Sequence, residues 1–157
     1  MLPARELFEP SQVLVGAAWL RARLDHPLIR VVDVRSVACS FVLGAACLAR
    51  HASVGDLRWT EDMLEIARAM SLCGVSDHHA VVFYDEGRAL SGAFLLAERL
   101  RRLGHPASYV LGGGFPAWQR SAGPCSSSPE VFKPEAFTVR PRFAPAAATP
   151  AIGNGRA

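Results

Sequence analysis

The stretch AVVFYDEGRALSGAFLLAERLRRLG, residues 80–104, changes its periodicity twice, and those changes set the architecture expected of the whole chain. Ala80 to Tyr84 is a short apolar run rich in β-branched and aromatic residues, the pattern of a buried strand in a parallel sheet. Asp85 to Leu90 is a loop. From Ser91 the spacing is helical, with Ala93, Leu96, Ala97, Leu100 and Leu103 on one face and Glu98, Arg101 and Arg102 off it. Gly104 is suited to the C-cap, and Pro106 prevents the helix from continuing. Strand, loop and helix in this order turn the first amides of the helix toward the loop, an arrangement that suits an anion.

The loop residues are Asp85, Glu86, Gly87, Arg88, Ala89 and Leu90, with no cysteine, serine nucleophile pair or phosphate-loop lysine among them. An Asp straight after a hydrophobic strand is where aspartyl-phosphate enzymes place their nucleophile, but Gly87 stands where a second acid is wanted. Asp85 and Glu86 equally suit a plain structural role, capping a helix and balancing its dipole. A third reading comes from segments outside the loop.

Leu14 to Arg35 (LVGAAWLRARLDHPLIRVVDVR), Cys47 to Asp56 (CLARHASVGD), Val81 to Pro106 and Tyr109 to Pro124 (YVLGGGFPAWQRSAGP) follow one another in an order that resembles a rhodanese domain. The likeness is strongest to the first, non-catalytic domain of tandem thiosulfate or 3-mercaptopyruvate sulfurtransferases. It spans roughly residues 12–140 and rests on the Asp-Val-Arg at residues 33–35, the Tyr-Asp-Glu-Gly at 84–87 and the Gly-Gly-Phe-Pro-Ala-Trp at 113–118. The resemblance implies a loop that opens with a persulfide-forming cysteine, because only sulfur is both a low-pKa nucleophile and a carrier of transferable sulfur. Asp85 occupies that position. A carboxylate forms no persulfide, repels thiosulfate and competes for the amides meant for substrate. Two further departures are the turn at Arg50 to Gly55, which keeps only His51 of the family pattern, and Gly112 where an acid usually precedes the glycine pair.

The resemblance therefore implies an α/β three-layer sandwich around a mainly parallel sheet of four or five strands, a conclusion the alternation of strands and helices supports independently. It also implies a domain without sulfur transfer of its own, acting as a scaffold or regulatory module and needing no cofactor. The alternative is a sulfurtransferase active only with a separate catalytic domain, or through another thiol such as Cys125. A protein partner or a second rhodanese domain is the expected companion. Asp85 to Leu90 would form a vestigial anion pocket bordered by Asp33 and Arg35, which follow a strand at its carboxyl end. Arg88 would complement a small anion, but Asp85 and Glu86 oppose it. A plain ion pair between Asp33 and Arg35, tying the strand end to its loop, is the simpler role for those two.

The 157 residues give room for one domain with a substantial core. The boundaries expected are residues 12–124 for the domain and 125–157 for a C-terminal strap and tail rich in Pro, Ser and Ala. Val131 to Phe132 and Phe137 to Val139 would touch the domain, and disorder is expected from about Arg140. A net charge of +3 from scattered arginines suits a solvated surface better than a nucleic-acid footprint. No apolar run is long enough to span a membrane, and MLPARELFEP lacks the apolar region of a signal peptide. Four cysteines without metal spacing predict free thiols in a reducing, cytoplasmic compartment. Cys39, Cys47 and Cys73 read as small core residues, and Cys125 as exposed.

Further expectations concern single elements. They are a strand at Val13 to Val15, a helix from Ala17 to Leu24, a strand from Leu28 to Val34 and a helix or compact loop over Val37 to Ala49. Thr60 would cap a helix bearing Met63, Ile66, Ala67 and Met70, ending at Gly74. His78 and His79 would lie at the surface, on opposite faces of a strand approach, with no shared metal. A last strand, Ser108 to Leu111, would lead through Gly112 to Gly114 into a short helix begun by Pro116.

Overall fold

A computed structural model describes residues 12–88 and 91–140. Its centre is the five-stranded sheet β1 (Leu14–Val15), β2 (Ile29–Asp33), β4 (Ala46–Cys47), β5 (Ala80–Tyr84) and β6 (Ser108–Leu111), in the order β1-β6-β5-β2-β4 with every pairing parallel. β5 is the middle strand, its residues in register with Ile29 to Asp33 on one side and Ser108 to Val110 on the other. A separate two-stranded antiparallel ladder joins β3 (Phe41–Val42) to β7 (Cys125–Ser126).

Side chains alternate across a strand, so β5 feeds two cores. Val81 and Phe83 join Leu57 of α2 (Val54–Trp59), Ile66 and Met70 of α3 (Met63–Leu72) and Leu96 and Leu100 of α4 (Gly92–Arg102). Ala80, Val82 and Tyr84 face Leu20 of α1 (Ala17–Arg23) and Phe115 and Trp118 of α5 (Gly114–Arg120). This is the expected three-layer sandwich, with three helices on one face and two on the other. The helix face expected from residues 91–103 is also the buried one, and Ser91 Oγ accepts from the Phe94 amide at its start.

Several local expectations are corrected. Residues 37–49 hold no helix beyond the start of a 3-10 turn at Leu48–Arg50; β3 and β4 are only two residues each, too short to show periodicity in the sequence. Asp62, not Thr60, caps α3, its carboxylate accepting from the Leu64 amide; Thr60 instead ends α2, a six-residue helix that was not anticipated. Pro116 is the third residue of α5, after Gly114 and Phe115. His79 is buried, whereas His78 is exposed. Cys39 is exposed, Cys47 half-buried and Cys73 buried, so the first of the three is not a core residue.

Beyond β7 the chain straps the sandwich. The amides of Glu130, Glu135 and Arg140 donate to the carbonyls of Ala45, Ser71 and Leu103, and Thr138 N donates to the Asp77 carboxylate. Phe137 is buried, and Phe132 and Val139 pack on the same core, while Val131 is exposed. These contacts hold the segment after residue 124 against the sandwich. The disorder expected beyond Arg140 falls outside the described residues.

Candidate functional site

β5 delivers Asp85 to the carboxyl edge of the sheet, and what surrounds it is backbone. Its Oδ1 accepts from the Gly87 amide at 2.8 Å and its Oδ2 from the Ala93 amide at 3.1 Å, while its own carbonyl accepts from Phe115 N at 2.9 Å. The Ala93 amide belongs to the first turn of α4, where unpaired donors and the helix dipole favour negative charge. The Asp85 carboxylate therefore takes up one amide of its own loop and one at the start of α4. Asp85 is buried, while Glu86 and Arg88 are exposed. Ala89 and Leu90 lie outside the described residues.

The loop is held against the turn that opens α5. Gly87, Gly113 and Gly114 have φ of +91°, +74° and +59°. A Cβ on Gly114 would strike the Asp85 carbonyl and the Gly87 amide, and one on Gly87 would strike the Gly113 carbonyl. Only glycine allows both the left-handed backbone and this approach. At Gly112, where the acid of the related pattern is missing, a Cβ would lie 3.6 Å from the Val15 carbonyl, an ordinary contact.

Asp33 and Arg35 form the ion pair that was the simpler expectation. The Arg35 Nε donates to both carboxylate oxygens at 3.0 Å, and its Nη2 donates to Asp33 Oδ2 and to the Ser40 carbonyl. The guanidinium lies 4.4 Å from the Phe115 ring centroid and 5.4 Å from that of Tyr84. The bidentate carboxylate, the Ser40 carbonyl and the two aromatic rings hold the guanidinium in place, so Arg35 is a strut between loops. Tyr84 Oη accepts from Val42 N at 3.0 Å, and burial, with Asp33 nearby, pushes its pKa well above the ordinary phenol value. It remains neutral and structural.

No cluster of three or more His, Cys, Asp or Glu residues capable of holding a metal occurs among the described residues. Burial pushes the Cys73 thiol up to about 12, with Cys47 adding to the shift, so Cys73 is unreactive at neutral pH. Cys125 is exposed as expected, with Sγ 3.5 Å from the Gly123 carbonyl. The sequence thus located Asp85 and the Asp33–Arg35 pair. It could not show that the Gly87, Ala93 and Phe115 amides converge on Asp85, because backbone donors leave no residue-type signature; the glycine pair at 113–114 was the available hint.

Comparison with known proteins agrees with this fold. A putative thiosulfate sulfurtransferase of Synechococcus elongatus is 24% identical over 132 residues, covering 79% of this chain and 41% of the relative, so the chain spans less than half of that protein. Among solved structures, the 3-mercaptopyruvate sulfurtransferase SseA of Escherichia coli superposes with a TM-score of 0.65 at 24% identity, covering 82% of this chain and 55% of the other. The 3-mercaptopyruvate sulfurtransferase of Leishmania major gives 0.65 at 21%, covering 87% and 42%. At these identities the superpositions speak for the fold alone. The sequence model of the rhodanese-like domain matches residues 16–121, which takes in both the Asp85 loop and the glycine turn behind it, and the chain belongs to that family.

Proposed function

We propose that this domain performs no sulfur transfer by itself and serves as the non-catalytic, scaffold or regulatory partner of a sulfurtransferase, equivalent to the first domain of a tandem enzyme. One observation carries the reading: the Asp85 carboxylate sits in the amides of Gly87 and Ala93. A persulfide requires a thiolate at this position, and the substrate anion requires those donors free. The named relatives are sulfurtransferases of which this chain covers about half or less, which fits a domain whose activity depends on a companion.

The test is sulfur transfer from thiosulfate to cyanide by the purified chain beside an Asp85→Cys variant. The expected outcome is an inactive parent and a variant that turns over, since the cysteine would inherit the Gly87 and Ala93 amides as stabilisers of its thiolate. Turnover by the parent would overturn the reading and direct attention to Cys125, the exposed thiol whose strand pairs with β3 beside Tyr84. An inactive variant that still folds would show that the loop has lost its catalytic geometry.

A further inference from the structure

Trp59, the last residue of α2, is 73% exposed and borders two hollows. The first, of about 480 Å³, lies between α2 and α4, and its lining includes Leu95, Leu103, Glu98 and Arg102. The second, of about 400 Å³, is lined by Gly55, Asp56, Thr60 and Glu65 beside the same Trp59. Helical spacing sets the two apart, since it puts Arg58 about 100° to one side of Trp59 and Asp56 about 60° to the other. The ridge between them is fixed, because the Arg99 guanidinium donates to the carbonyls of Arg58 and Thr60 and ties the end of α2 to α4. So large an apolar side chain left in water on a fixed ridge marks a contact surface.

The charges on the two sides differ in sign. The α2/α4 hollow carries Arg58, Arg99 and Arg102 against the single acid Glu98, whereas the other carries Asp56 and Glu65 and no cation. Arg102, Asp56 and Glu65 are exposed and have no ion-pair partner among the described residues, although Glu65 accepts from Thr60 Oγ1 at 2.5 Å. Opposite charges flanking one aromatic residue make the surface complementary to itself, which is the condition for an isologous interface. A two-fold axis running past Trp59, at right angles to the line joining the hollows, sets the basic hollow of each copy against the acidic hollow of the other. It also brings the two Trp59 rings together. A different protein would have to supply a cation patch, an anion patch and an apolar centre in this order; a second copy of the chain already has them.

We propose that the chain self-associates as a two-fold dimer through this surface, with Trp59 at its centre and Arg102 of each copy facing Glu65 of the other. The patch is small, so the dimer belongs with weak, reversible complexes. This association is independent of whether the domain transfers sulfur.

Sedimentation equilibrium of the full chain tests it, and a monomer–dimer equilibrium with a Kd of roughly 100 µM is expected. Trp59→Ala should raise that Kd about tenfold or more, as loss of a central aromatic does. Arg102→Glu and Glu65→Arg, both at exposed positions, should each weaken self-association about tenfold, because the two-fold places every substitution in the interface twice. Mixed in equal amounts, these two variants should form a heterodimer at least as strong as the parent dimer, since both pairs across the axis are then of opposite sign. The double variant Arg102→Glu/Glu65→Arg should regain the parent affinity for the same reason, with far-UV circular dichroism confirming that each variant is folded. A parent that stays monomeric up to about 1 mM, well above the expected Kd, would overturn the proposal. So would a dimer indifferent to Trp59→Ala, or two charge-reversed variants that fail to pair on mixing.

Discussion

Asp85 and His79 show how single buried groups set the behaviour of this domain. Removing the Asp85 carboxylate leaves the Gly87 and Ala93 amides without their acceptor, so Asp85→Ala should destabilise the fold by about 2 kcal/mol, measured by urea unfolding. Added thiosulfate should then raise the Tm of Asp85→Ala and leave that of the parent unchanged, because only the variant has the amides free. His79 is held by a different balance. Its Nδ1 accepts from the Ser76 amide at 2.9 Å, and burial first, then the Arg30 guanidinium, lower its pKa from 6.5 to about 4, against the opposing pull of Glu135. His105, whose Nε2 contacts the His79 carbonyl, is lowered by burial too. A folded-state pKa below the unfolded one means stability that is complete above about 6.5 and lost as pH falls toward 4. Urea midpoints measured across that window should fall, and less steeply in His79→Gln. The sequence placed Asp85 in the loop after β5 but set His79 at the surface, because two adjacent histidines before a strand carry no mark of which one the fold will bury.

At the scale of elements, legibility followed length. β5, β6, α3 and α4 are long enough for a period to show, and each appeared close to where the spacing put it. β3, β4 and α2 are two to six residues long and are made by their neighbours: Val42 N is held by Tyr84 Oη, and Ser53 Oγ caps α2 through the Gly55 and Asp56 amides. Such elements have tertiary causes and leave little local pattern. The misassigned cap arose because Thr60 and Asp62 both suit the role; Thr60 Oγ1 accepts from Asp62 N, so one supports the other. Asp62→Ala should therefore cost about 1 kcal/mol of stability, and Thr60→Ala less, a ranking that thermal unfolding of the two variants would read. At α5 the left-handed backbone of Gly113 and Gly114 matters more than any cap. Gly114→Ala should destabilise by on the order of 2 kcal/mol and loosen the Asp85 loop, visible as faster amide exchange at Gly87.

The whole molecule is larger than its α/β core. Residues 127–140 share backbone hydrogen bonds with Ala45, Ser71, Asp77 and Leu103 and place Phe137 against the His105 ring, 5.0 Å between centroids. Phe137→Ala should accordingly cost about 3 kcal/mol, the scale of a core aromatic and not of a tail, by denaturant unfolding. The composition change after Gly123 suggested a strap, and only the apolar residues within it hinted at its depth. No helix among the described residues is long and apolar enough to cross a membrane. The sheet ends on β1 and β4, each two residues long. A foreign strand approaching either edge would find too few free backbone groups to build a ladder, so both margins discourage edge-to-edge aggregation. The fully buried apolar strand most able to template such growth, β5, is enclosed by partners on both sides, and the domain keeps its stickiest sequence where no other chain can pair with it.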